Sequence, residues 1–412
     1  MKHLKLTFLL IAFFSLIACS DNSEDEPITP GTETVKERTV IFYLAGEEFK
    51  IGNWIADNLN RICSSMSNQV DPQKINVLAY IDLYTRVENI PPTPRLYEIK
   101  YSPQLKCGDT LCVTEYKERN SLSPSNLKNF FEMVKKEYPA NSYSLVWGSH
   151  GSGWFPNPNM MSGRSLGPDG TNYIEMDEFA QIIPKDMKFD YIIFDACFMA
   201  QAEVIMQLRN KADYIMAAPT ELPIKGFPYD EIDLICNAST ENEYKTICEK
   251  FKAMYHATGT TYTISLIKCK AIENLAQSFK AIIDASSDDA LALLQLNRVQ
   301  YFDGSQYCFS YVTCCFDIID LAEKLLATPG NENIENSEEL LEQLKSDLNE
   351  LIKYEAHSKY INFQNYFELK TCCGLSCYWP DPTIPIANSY YYNYDWCSAS
   401  GMDYVLNSIV EY

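Results

Sequence analysis

Two residues at the ends of apolar runs stand out for their chemistry: His150 and Cys197, 47 positions apart. An imidazole exchanges protons near neutrality, and a thiol ionises to a strong nucleophile. Brought together, the two make a pair that can attack an acyl carbon and handle the proton for it. His150 is followed by Gly-Ser-Gly, and glycine at 151 leaves its backbone N–H open to close approach by a carbonyl oxygen. Cys197 follows Phe-Asp-Ala and precedes Phe-Met-Ala, which reads as the opening of a helix over 199–209. The partial positive charge of a helix start favours a thiolate. The plainer alternative is one more buried cysteine in a chain that has fifteen. His256 and His357 fall in charged stretches that read as solvated helix.

The runs at 143–147 and 191–194 have the length and composition of buried parallel strands. One stops just before His150 and the other just before Cys197. Ligands of open α/β sheets bind at the carboxyl ends of neighbouring strands, so this placement suits a site. Upstream, a strand at 39–46, a helix over 53–66 and a strand at 75–82 form a βαβ unit. That helix carries Trp54, Ile55, Leu59, Ile62 and Met66 on one face. Residues 96–116 alternate as an antiparallel excursion, and Ser123 with Pro124 starts a helix that runs to 138. The stretch 151–172, rich in Gly, Pro, Ser and Asn, reads as a long functional or mobile loop. A helix at 176–183 and a short strand from 213 lead to a Pro/Gly loop over 220–232. Helices dominate thereafter, with strands near 262–267, 308–314 and 374–379 and a last helix at 402–409.

The ends and the composition narrow the function class. Residues 1–18 read as a secretory leader, with a basic start and an apolar run too short to span a bilayer. Leu16-Ile17-Ala18-Cys19 looks like a bacterial lipobox, which makes Cys19 the lipidation site and the cell envelope the expected location, on the outer-membrane, periplasmic or surface face. Residues 19–37 then read as an acidic disordered tether. A net charge of −21 argues against nucleic acid and against an anionic membrane surface, so membrane contact is expected only through the lipid on Cys19. With Cys19 and Cys197 set aside, thirteen cysteines remain, an odd number. Cys314-Cys315, Cys372-Cys373 and nearby Cys377 supply either disulfides or small buried hydrophobes. Cys373 and Cys377 have no second pair with histidines at ligand spacing, so no metal site is assigned.

The blocks WGSHGSGW and FDYIIFDACFMAQAEV closely resemble the clostripain family of cysteine peptidases, relatives of caspases, legumains and gingipains. In the caspase variant the histidine likewise lies about fifty residues upstream of the cysteine. TVIFYLAG resembles the first strand of the family, ADYIMAAPTELPIKGFPYDEI its post-cysteine loop and CGLSCYWP its C-terminal Gly-Leu-Ser strand. The resemblance spans Arg38 to the end. It implies an α/β fold, a caspase-like three-layer α/β/α sandwich with a mostly parallel sheet. The catalytic domain is expected over 38–235, with a C-terminal helical/β subdomain over 236–412. It also implies a cysteine endopeptidase acting on peptides or proteins, with Cys197 as nucleophile, His150 as acid and base, and the N–H groups of Gly151 and Cys197 as oxyanion donors; a monomer is expected. Two other outcomes stay open: a catalytically silent scaffold lipoprotein with this fold, and a transpeptidase resolved by an amine instead of water.

Specificity is where the chain departs from that pattern. Family members that cut after Arg or Lys carry an acid just before the Gly-x-Pro-Tyr element, where this chain has Lys225. Facing the pocket, Lys225 repels a basic side chain at the substrate position preceding the cut (P1); facing solvent, it leaves Asp195 or Glu221 to receive one. Asp195 either lines that pocket or caps the helix after Cys197. Relatives are activated by a cut between the two blocks, and Arg164-Ser165 is the candidate bond. No cofactor is required, but the resemblance implies a response to calcium. Asp169, Glu175, Asp177 and Glu178 offer oxygens for it or simply favour a helix start, and no EF-hand spacing exists.

Overall fold

In the computed structural model, described residues are 35–46, 51–117, 120–155, 165–170, 172–302, 315–363 and 366–410. The leader, Cys19, Arg164 and the strand expected at 308–314 lie outside them. Strand β1 (Lys36–Gly46) shows why this sheet is covered on both sides. Val40, Phe42 and Leu44 belong to one buried cluster, and Ile41, Tyr43 and Ala45 to a second. Side chains alternate faces along a strand, so a run apolar at every position demands two covering layers. β2 (Ile75–Leu83) obeys the same rule, with all nine residues buried.

The main sheet has nine strands. β1 pairs in parallel with β2 on one side and with β5 (Ala140–Gly148) on the other. β5 continues in parallel to β8 (Phe189–Asp195), and β8 to β9 (Ala212–Ala217). Antiparallel strands extend both edges. β3 (Arg95–Ser102) and β4 (Cys107–Glu115) follow β2, forming the expected antiparallel excursion. β10 (Thr263–Lys268) follows β9, and β12 (Ile352–His357) pairs with β10. The sheet thus continues past residue 235 without interruption. Three short pairs complete the strands: β6 (Leu166–Asp169) with β7 (Asn172–Ile174), β11 (Cys315–Asp317) with β15 (Ser376–Tyr378), and β13 (Tyr360–Asn362) with β14 (Tyr366–Glu368).

One face carries α1 (Gly52–Ser65), α5 (Ile232–Asn237) and α6 (Glu241–Thr258); the other carries α2 (Pro124–Glu137), α3 (Met176–Ile182), α4 (Ala202–Leu208) and α7 (Ile272–Ala285). Ser123 caps α2 by accepting the Asn126 N–H, with Pro124 at the first helical position. Strand order reverses at β1: the chain moves to β2 and then returns to β5 on the opposite side, which makes the β1/β5 boundary a switch point. Tyr43 stacks between its register partners Tyr80 and Trp147, with ring centroids 4.4 and 4.7 Å away. This aromatic ladder ties together the three strands flanking that boundary.

Several expected details differ. Trp54 is exposed rather than on the buried face of α1. The loop over 151–172 ends in the β6/β7 hairpin instead of remaining irregular to its end. His357 stands on strand β12, not on a helix, because the preceding helix stops at Leu351. Cys372, Cys373 and Cys377 are free thiols.

Candidate active site

Register decides how His150 and Cys197 are presented. Gly148 of β5 pairs with Asp195 of β8, and each candidate lies two residues beyond that last pair. The Ser149 N–H donates to the Asp195 carbonyl at 3.3 Å, holding the departing chains together. Trp147 Nε1 donates to Ser149 Oγ, which in turn donates to the His150 carbonyl at 2.7 Å. Gly151 packs directly on the cysteine backbone: a Cβ there would lie 2.7 Å from the Cys197 carbonyl oxygen and 2.9 Å from Ala196 Cβ. Only glycine fits at that approach.

The chain after His150 is pinned on both sides. His150 accepts from the Gly167 N–H, and the Ser152 N–H donates to Ser165, so the start of the β6 hairpin runs along the 150–152 segment. Trp154 and Phe155 are fully buried, and Trp154 sits among Tyr378, Tyr391 and Tyr394. Gly153 has φ +71 and lies against Gln201, whose Oε1 accepts the Trp154 N–H at 3.0 Å.

Cys197 is half-buried and lies in a turn. α4 begins only at Ala202, three residues after the expected start at 199 and five beyond the thiol, and Asp195 caps no helix. Phe198 has φ +62, a left-handed conformation costly for a bulky side chain. Its N–H donates to the Thr220 carbonyl at 2.9 Å, the Ala200 N–H to Ala218, and the Ser376 N–H to Ala200. Extended pairing on both sides therefore displaces the first turn of helix. The donor to the sulfur is instead the Leu222 N–H, 3.3 Å from Sγ. Burial is the main cause that pushes the thiol up to about 12, reinforced by the negative charges of Glu221 and Asp195 and opposed by the Leu222 N–H.

Asp195 is committed to holding the post-cysteine loop. Its Oδ2 accepts from Tyr229 Oη at 2.7 Å and lies 3.5 Å from Asn58 Nδ2, while burial raises its carboxyl to about 6. Gly226, at φ +73, rests against the carboxylate, where a Cβ would come within 2.2 Å of Oδ2. Arg61 clamps the same loop from α1, donating to the carbonyls of Lys225 and Phe227 and to the Asp230 carboxylate. Its guanidinium also lies 5.5 Å from the centre of the Tyr229 ring. Lys225 is exposed at the tip, and Glu221 is half-buried on the Cys197 side. Asn58 and Arg61 were not singled out from the sequence. Their signal is there, as two polar residues three apart on the otherwise apolar face of α1.

The four acids considered for calcium are not gathered into one cluster among the described residues. Asp169 accepts from the Ser121 N–H, and Glu175 from Ser165 Oγ at 2.7 Å. Asp177 and Glu178 lie in the first turn of α3.

Comparison with known proteins gives a consistent picture. The profile described as Clostripain family matches residues 42–405. The chain is 25% identical over 408 residues to clostripain of Hathewaya histolytica, covering 83% of this chain and 74% of that protein. It is similar in structure to an inactive zymogen C11 protease from Parabacteroides distasonis, at TM-score 0.73 and 26% identity, over 89% of this chain and all but 1% of the other (99% covered). A secreted C11 cysteine protease from Bacteroides thetaiotaomicron, solved with an irreversible peptide inhibitor, shares the fold at TM-score 0.73 and 24% identity, covering 89% and 99% of the two chains.

Proposed function

The chain belongs to the clostripain family and is a cysteine-type endopeptidase, and on that premise we propose that it cleaves peptide bonds through a Cys197/His150 dyad. The observation that carries this reading is the β5/β8 register, which delivers both residues two positions past one paired end at the carboxyl edge of the sheet. Cys197 Sγ adds to the scissile carbonyl, and its proton passes to His150. His150 returns that proton to the departing amine as the tetrahedral adduct collapses to a thioester. Water, deprotonated by His150, then attacks the thioester and releases the second product and the free thiol.

The Gly151 N–H and the Cys197 N–H are the oxyanion donors in this proposal. The bridge between Gly151 and Leu166 is flanked by hydrogen bonds from Ser152 and to His150, a pattern that leaves the Gly151 N–H to substrate. Losing one such donor costs roughly 10²–10³ in rate.

Glu221 is the charge a P1 side chain meets beside the sulfur in this proposal, because its effect on Cys197 exceeds that of Asp195, whose carboxylate holds the loop through Tyr229. Exposed Lys225 opposes it from the tip. Removal of Lys225 should therefore raise cleavage after Arg or Lys, and removal of Glu221 should lower it. A fluorogenic peptide library varied at P1 tests the whole reading. Turnover should vanish in both Cys197→Ala and His150→Ala; persistence in either variant overturns the dyad.

Lipid attachment at Cys19, a cell-envelope location, a monomeric state, calcium response and self-cleavage after Arg164 belong to the same proposal. Incorporation of labelled fatty acid should disappear in Cys19→Ala. Mass spectrometry should find a fragment beginning at Ser165 in the active protein and none in Cys197→Ala. Chelation followed by calcium return tests the remaining effector.

A further inference from the structure

Away from the catalytic edge, three side chains of different donor type converge. Glu355 and His357 lie two apart on β12, so both leave the same face of the strand. His357 Nδ1 lies 2.7 Å from Glu355 Oε1. Cys372, from the segment that follows the β13/β14 hairpin, completes the group: one ligating atom from each residue lies within 4.8 Å of the others. All three residues are half-buried, sheltered yet reachable by a small ion.

Close packing explains why Cys372 arrives there. Gly374 has φ +84, and a Cβ on it would lie 2.9 Å from Glu355 Cγ and 2.7 Å from Ser265 Oγ. Ser265 Oγ donates to the Gly374 carbonyl at 2.7 Å, which presses the 372–374 backbone onto β10 and β12. No larger residue could bring the thiol this near to the strand pair.

We propose that Glu355, His357 and Cys372 bind a divalent cation of the zinc class, in a site separate from the catalytic dyad. One sulfur, one nitrogen and one oxygen suit a borderline-soft ion, with water in the fourth tetrahedral position. Bond lengths of about 2.0–2.3 Å put ligand atoms roughly 3.3–3.8 Å apart, a spacing this cluster reaches with small side-chain movement. On binding, the Cys372 thiol gives its proton to solvent and the sulfur ligates as thiolate. Calcium is the wrong guest, since it takes six to eight oxygen ligands.

The site is one strand from the loop that touches Cys197. His357 pairs in register with Thr263 of β10, whose Oγ1 lies 2.7 Å from Thr220 Oγ1. Thr220 accepts the Phe198 N–H, and Leu222, two residues on, donates to Cys197 Sγ. A bound ion ties the strand edge on which that loop rests.

The test uses the full chain carrying Cys197→Ala, so that the dyad itself cannot hold metal. Titration with cobalt(II) should give one equivalent bound and a thiolate-to-cobalt charge-transfer band, displaced by zinc. Cys372→Ser should abolish the band, and His357→Ala should weaken binding by roughly 100-fold or more. Circular dichroism checks that each variant folds, and Glu355→Gln supplies a third ligand change if one does not. No thiolate band in the Cys197→Ala protein, or a band that survives Cys372→Ser, overturns the proposal.

Discussion

In the proposed mechanism the Cys197 thiol, pushed up to about 12, loses its proton as substrate arrives, and the surrounding charges decide how hard that is. Glu221 acts against ionisation, so its neutralisation should ease it. In Glu221→Gln, the pH profile of Cys197 alkylation by iodoacetamide should move down by up to about one unit. At a fixed pH below the pKa this is up to about tenfold faster labelling. An unmoved or upward-shifted profile would show that the Glu221 charge is not felt at the sulfur. The same substitution should lower cleavage after basic residues, separating nucleophile activation from P1 recognition.

At the scale of elements, the loop over 222–230 is held from below by α1 and from the side by α6. Arg61 spreads its donors over two carbonyls and a carboxylate, and Tyr255 Oη donates to the Gly226 carbonyl at 2.6 Å. A lysine cannot reproduce that fork, so Arg61→Lys should behave much like Arg61→Ala. Both should cost about 1–3 kcal/mol of stability and depress kcat/KM, because the Leu222 N–H is carried on the loop they loosen. Chemical denaturation and steady-state kinetics check the two effects, and wild-type kinetics in Arg61→Lys would refute the clamp. On the histidine side, Trp154→Ala should cost about 3–5 kcal/mol by emptying the aromatic box, read as a fall in the denaturation midpoint.

Over the whole molecule, Glu203 joins α4 to the C-terminal stretch 378–391. It stands fully buried on α4 and accepts from the Tyr378 N–H at 2.9 Å and from Tyr391 Oη at 3.1 Å. Burial raises its carboxyl from 4.5 to about 7. Between those values the folded state keeps a proton that the unfolded chain has lost, so its contribution is complete below pH 4.5 and is lost as pH rises through 7. The loss is at most about 3 kcal/mol. Asp195, raised from 3.8 to about 6, acts with the same sign in a lower window. Thermal melts across pH 4–8 should show wild-type stability falling with pH and a flatter profile in Glu203→Gln. An equal slope in both proteins would remove Glu203 as the cause.

Local pattern was enough for much of this protein. Apolar runs without alternation announced strands covered on both faces, Ser123-Pro124 announced a helix start, and the paired His-Gly and Asp-Ala-Cys blocks announced the family and its cysteine-peptidase chemistry. Each is written in contiguous residues whose neighbours in sequence are also their neighbours in space. What tertiary structure alone decided involves groups that meet from distant positions. The Cys197 turn stays unwound because Thr220, Ala218 and Ser376 offer it strand-like partners, a competition that helix periodicity cannot register. Asp195 becomes a loop anchor because Tyr229 and Gly226 close on it, and His357 becomes a strand residue facing Cys372 because β10 supplies an edge to pair with. Burial and long-range hydrogen bonds set these outcomes, and both are properties of the folded chain.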